Sequence, residues 1–271
     1  MSNDLKWLLS SDQQIPFHDK RMIELYFKVQ KWFNPDIIDF LGDTSDQACW
    51  SRWDDGTSKE FMNFVNAGKM EPLAPFVFEQ ERPVKEFYQQ ARTLAPNAEM
   101  FVALGNHDIR VWPYFDKKKP EIVDQLTPEA LWGFDSLGID YIHYADRPKH
   151  RYGDIYVHHG VSISKHAGES VRNDIDNFGV SMVRGHSHRA AVFNRTMPLR
   201  NETLRGFELG HMMDINCEGA SYQNIHNWQL AFAIAHIVPS KSQRDGWYPH
   251  IQLIHVNEDY ECVVDGRHFK G

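Results

Sequence analysis

Five short polar clusters punctuate the chain, and they hold the side chains best suited to binding cations. They are Ser11-Asp12-Gln13-Gln14, Gly42-Asp43-Thr44-Ser45-Asp46, Gly105-Asn106-His107-Asp108, His158-His159-Gly160 and Gly185-His186-Ser187-His188. The donors they offer are carboxylate and amide oxygens and imidazole nitrogens, with no thiolate. That set suits borderline to hard divalent cations such as Mn, Fe, Zn, Ni or Mg. A closed structural zinc site normally uses thiolates, and Cys49, Cys217 and Cys262 are scattered. A Gly-Asp pair alone is a common turn. Gly-Asn-His-Asp is more specific, because Asn and His are unusual straight after an apolar run. The ordered combination of all five carries the signal.

Positioning such clusters requires elements that end together. Leu5 to Ser10 reads as a buried strand, and 19–33 has apolar residues at helical spacing, closed by Asn34-Pro35. Asp36 to Leu41 reads as a second strand, which predicts a βαβ unit with parallel strands. Further strands are expected over 99–104, 154–158 and 180–184, with helices over 84–94 and 168–178. Each polar cluster follows one of these five strands. Ligands of α/β sheets bind just beyond the carboxyl ends of strands, so five such loops can share one site. The pattern turns β-like after residue 190, with strands expected over 230–238, 250–256 and 260–264 and a closing hairpin over 259–271. The whole chain, 1–271, reads as a single domain with insertions at about 49–83 and 111–140. Within the first, Trp50 and Trp53 read as part of a local aromatic cluster more readily than as a stacking platform.

Net charge narrows the partners. With 29 basic and 37 acidic residues the formal charge is −8, which disfavours stable binding to duplex nucleic acid. It does not exclude a phosphorylated substrate, because bound cations supply local positive potential. An odd, low cysteine count argues against a disulfide framework and fits a cytoplasmic setting. The N-terminal apolar run is too short for a signal peptide. No apolar run reaches the roughly 18 residues of a membrane span. Oligomeric state cannot be read from these features.

At the five clusters the chain resembles the calcineurin-like metallophosphoesterases. That family's pattern is Asp-x-His, Gly-Asp-x-x-Asp, Gly-Asn-His-Asp/Glu, a lone His, then Gly-His-x-His. The resemblance implies an α/β fold, a four-layer α/β/β/α sandwich of two mixed β-sheets flanked by helices. It also implies a pair of divalent metal ions, Mn foremost. Carried over by position, one metal would take Asp12, Asp43, His188 and Gln14, and the other Asp43, Asn106, His159 and His186, with Asp43 bridging. His107 would act as general acid at the leaving oxygen, oriented by Asp46. The implied reaction is hydrolysis of phosphate mono- or diesters of small phosphorylated molecules, by attack of a metal-bound hydroxide.

Three features depart from the family pattern or leave a choice. Gln14 stands where the family usually has His, so it either ligates through one neutral oxygen or hydrogen-bonds a bound water. Of His158 and His159, the residue just before Gly160 fits the ligand position. Gln47 stands where protein-phosphatase members carry Arg, leaving Arg52, Arg110 or Lys165 as replacements. Two other functions compete. A nuclease or nucleic-acid end-processing enzyme would need a basic groove, for which Arg184, Arg189, Arg195 and Arg200 are the available residues. A catalytically weak metal-binding module would keep the cluster without turnover.

Overall fold

The computed structural model describes residues 4–50, 73–118, 120–217, 220 and 227–271. Much of the expected insertion at 49–83, including Trp53 and Arg52, lies outside them. The opening βαβ unit forms as its sequence pattern predicts. β1 (Leu5–Ser10) runs parallel to β2 (Ile37–Phe40), with α1 (Lys20–Phe33) between them. The Asp19 carboxylate caps α1 by accepting from the Arg21 and Met22 amides, and Asn34 closes it in the left-handed region.

β3 (Glu99–Ala103) and β4 (Ile139–Ile142) extend this sheet in parallel beyond β2. Late in the chain, β10 (Ala231–Pro239) returns antiparallel beside β1, and β11 (Trp247–His255) pairs with β10. A second sheet has the order β5-β6-β7-β9-β8. Its strands are β5 (Lys149–His150), β6 (Ile155–Val157), β7 (Ser181–Arg184), β8 (Ala190–Met197) and β9 (Glu202–Leu209). Both sheets mix parallel and antiparallel pairs. The closing hairpin is β12 (Glu261–Val264) with β13 (Arg267–Lys270). Asp265 and Gly266 turn it at positive φ, as a tight Asp-Gly hairpin requires.

Strand alternation sorts the core into layers. Trp7, Leu9, Phe101 and Ala103 face Ile155, Val157, Val183 and Phe207 between the two sheets. Leu8, Ile38, Phe40 and Val102 point the other way, onto Met22 and Leu25 of α1 and onto Val84 and Tyr88 of α2 (Leu73–Leu94). On the far side, α6 (Glu169–Phe178) sets Val171 and Ile175 against Met182 and Leu204 of the second sheet. The result is helices, sheet, sheet, helix: the expected four-layer sandwich.

Region 111–140 differs from a peripheral insertion. It folds as α3 (Val111–Lys118), a 3-10 turn, α4 (Pro128–Trp132) and α5 (Phe134–Leu137), then enters β4 of the first sheet. Its Val111, Phe115, Leu131, Trp132 and Phe134 are part of the main core. Trp50, 3% exposed, packs on Tyr114 and Phe115, which makes it a core residue and not a platform for substrate. Among the described residues no helix is long and apolar enough to cross a membrane.

Candidate metal centre

The five polar clusters leave the carboxyl ends of β1, β2, β3, β6 and β7, and their backbones are laced together. The Asp12 amide donates to Gly42 O, the Gln14 amide to Asp43 O and the Gly185 amide to His159 O. Five candidate ligands hold positive φ without being glycine: Asp12 (55°), Gln14 (54°), Asp43 (52°), His186 (69°) and His188 (57°). Such backbone is uncommon for L-residues and concentrates at functional sites, where surrounding structure imposes it. Gly42 makes the close approach feasible, since a Cβ there would lie 2.6 Å from both Gly105 N and His159 Nδ1.

Asp43 sits at the middle, 1% exposed. Its Oδ2 lies 3.2 Å from His159 Nε2 and 3.3 Å from Gln14 Nε2, and its Oδ1 accepts from the His107 amide at 2.8 Å. One ligand atom each from Asp43, His159 and His186 falls within 4.8 Å of the others, a cluster able to hold a metal ion. On the other side, Asp12 Oδ1 is 3.1 Å from His188 Nε2, while Asp12 Oδ2 accepts from Ser11 Oγ and from the His186 amide. Gln14 Nε2 lies 3.4 Å from His188 Nε2, so Gln14 belongs with this half. The His159 Nδ1–H donates to Leu41 O at 2.7 Å, which turns Nε2 toward Asp43. The neighbouring His158 faces away, its Nδ1 accepting from the Gly160 amide.

Electrostatics follow this geometry. Burial opposes a charged His159, yet the adjacent Asp43 carboxylate lifts the ring to about 9. Burial and the nearby His159 push His186 down to about 3. Burial likewise opposes the ionised Asp43 and Asp12, but the facing imidazoles hold both carboxyls below the usual range.

The donor set fits a divalent cation on a local observation. Asp12 Oδ1, Gln14 Oε1, Asn106 Oδ1 and His159 Nε2 are buried and make no hydrogen bond within the protein. Buried polar atoms without a hydrogen bond are expensive, and these four, drawn from three of the five loops, suit a cation site.

His107 lies beside this cluster. Its Nδ1 is 3.0 Å from Asp46 Oδ2, and its Nε2 is 3.9 Å from Asp43 Oδ2. Arg110 reaches the same place: Nη2 is 2.8 Å from His107 Nε2, and Nη1 donates to Asp46 O. Of the replacements for the missing motif arginine, Arg110 therefore lies at the site. Gln47 has a structural task, accepting from the Val111 amide.

Two residues work in ways the motif did not reveal. Asp108 Oδ2 accepts from the Asp43 and Gly105 amides, and its Oδ1 from the Ser45 amide, so it fastens two ligand loops together. Burial and the Asp43 charge push Asp108 up to about 8 despite these donors. Arg184 is fully buried, pairs with Asp174 at 2.9 Å and donates to Ser162 O and Gly185 O. It cannot belong to a surface basic patch, and Arg195 is paired with Asp176.

No family model matches the chain. It is similar to the Gene 54 proteins of Mycobacterium phage D29 and Mycobacterium phage L5, each at 26% identity over 83% of this chain and 86% of the relative. Among solved structures, Vacuolar Protein Sorting 29 from Cryptosporidium parvum superposes with a TM-score of 0.44 at 12% identity, covering 98% of this chain and 94% of that one. Vps29 from Chaetomium thermophilum gives 0.41 at 9% identity, covering 93% and 97%. TT1561 of Thermus thermophilus gives 0.37 at 11% identity, covering 77% and 90%. The resemblance to the calcineurin-like metallophosphoesterases is carried by this chain's own ordered motifs and by the four-layer sandwich that brings them to one sheet edge.

Proposed function

We propose that the protein is a metal-dependent phosphoester hydrolase with a dinuclear centre. The observation that supports this reading is the cluster of Asp43, His159 and His186, whose ligand atoms lie within 4.8 Å of one another, with Gln14, Asp12 and His188 beside it. Asp12, Gln14, Asp43 and His188 would hold one ion, and Asp43, Asn106, His159 and His186 the other. Mn suits the oxygen-rich first set best, with Fe, Zn, Ni and Mg as alternatives. Two bound cations would lower the pKa of a water and offset the charge of the phosphoryl group.

The chain's own residues supply the rest. Asp46 holds the His107 ring by Nδ1, so Nε2 faces the site and can protonate a leaving oxygen. Arg110 donates to that nitrogen in the resting arrangement, so Nε2 carries no proton there. A phosphoryl oxygen entering the site competes for the guanidinium and frees Nε2, which takes a proton from solvent water and passes it to the leaving oxygen. Arg110 thereby becomes a phosphate ligand. The substrate is a small phosphorylated molecule, and a cytoplasmic setting accords with the unpaired thiol of Cys262.

The test is turnover of p-nitrophenyl phosphate and bis-p-nitrophenyl phosphate by stripped protein resupplied with Mn. Hydrolysis of either ester, abolished in Asp43→Ala and lowered about 10²–10⁴-fold in His107→Ala, is the expected result. Mn binding by the wild type without turnover on any ester tried would replace the hydrolase reading with a metal-binding module.

A further inference from the structure

A buried carboxylate outside the motifs is built into the back of the site. Glu81 lies on α2 and is 2% exposed. Its Oε1 accepts from Ser45 Oγ at 3.1 Å, and its Oε2 accepts from Trp132 Nε1 at 2.8 Å. Both donors are neutral, and among the described residues no cation pairs with either oxygen. That is a costly arrangement for a residue that only fills space.

What Glu81 grips explains its place. Ser45 lies two residues after Asp43 and one before Asp46, in the turn that carries both. The turn is contorted: Gly42, Asp43 and Gln47 all have positive φ. For the two non-glycine residues this conformation is uncommon, and it persists only under outside restraint. Asp108 provides one restraint through the Asp43 and Ser45 amides. Glu81 provides a second through the Ser45 side chain. Trp132 of α4, 1% exposed, fixes the free oxygen of Glu81.

We propose that Glu81 is a positioning residue of the metal centre: through Ser45 it holds the 42–47 turn in the shape that aims Asp43 and Asp46 into the site. The inference rests on the dinuclear reading above. Its signature is in metal affinity and in coupling to Ser45, not in activity alone.

Calorimetric titration of Mn into the stripped full-length protein tests it, with Glu81→Ala, Ser45→Ala, the double variant and Glu81→Gln. Each alanine variant is expected to weaken Mn binding about 10–100-fold, the range typical for residues that orient metal ligands. The double variant should be no weaker than the worse single one, because both remove the same hold. Glu81→Gln should restore wild-type affinity, since its amide offers Trp132 an acceptor and Ser45 a donor. Wild-type affinity in Glu81→Ala or Ser45→Ala, with only a lower Tm, overturns the proposal, as does strict additivity. If Glu81→Ala does not fold, Ser45→Ala and Glu81→Gln decide it alone. A wild-type protein that binds no Mn fails the dinuclear reading itself, and this inference with it.

Discussion

His159 shows how one residue's surroundings determine what it can do. Leu41 O takes its Nδ1 proton, Asp43 faces its Nε2, and in the metal-free protein that pairing raises the imidazole to about 9. At neutral pH the ring is therefore charged, and a cation must displace its proton. His186, held at about 3, has none to lose. Mn titrations near pH 7.5 in buffers of different ionisation heat should show release of about one proton per centre, and affinity should rise with pH toward 9. Buffer-independent heats would contradict this. Arg110 belongs to the same scale. A charge-assisted hydrogen bond is worth about 1.5–3 kcal/mol, so Arg110→Ala should raise KM for a phosphomonoester roughly 10–100-fold while leaving Mn affinity unchanged.

At the scale of elements, α2 brings a buried acid to the turn that carries the central ligand. Burial pushes Glu81 up to about 7, against the hydrogen bonds from Trp132 and Ser45. An acid whose folded pKa lies above its unfolded value binds more protons when folded. Its ionisation therefore destabilises the fold as pH rises from about 4.5 to about 7. Glu81→Gln should remove that decline, read as a flatter profile of denaturant midpoint over this window. An unchanged slope would show that Glu81 ionises normally. None of this was legible in the sequence. Glu81 falls in the stretch 49–83 that reads as an insertion, and the helix expected over 84–94 begins at Leu73. The strands that precede the five clusters were legible because their apolar runs end abruptly at polar ones. By contrast, β8, with Asn194, Arg195 and Thr196 exposed, lacks an apolar run, and β5 has two residues. Arg184 read as a surface cation because its type gives no hint of burial. Gly-Asn-His-Asp pointed to the site, but not to the three amides that Asp108 gathers.

Across the whole molecule, the sandwich concentrates acid in one place. Asp12, Asp43, Asp46, Glu81 and Asp108 are each at most 5% exposed, and the chain as a whole is acidic at −8. The first sheet that holds three of the five loops is completed by strands from both halves of the chain, β1 beside β10. Cations bound there would offset the charge that the fold gathers. Metal stoichiometry is the most direct test of that arrangement. Stripped full-length protein should bind two equivalents of Mn by calorimetry, and Asp43→Ala, which removes the shared ligand, should lose both. One equivalent, or two that survive in Asp43→Ala, would contradict a centre bridged by Asp43, and no binding at all would contradict the metal site itself.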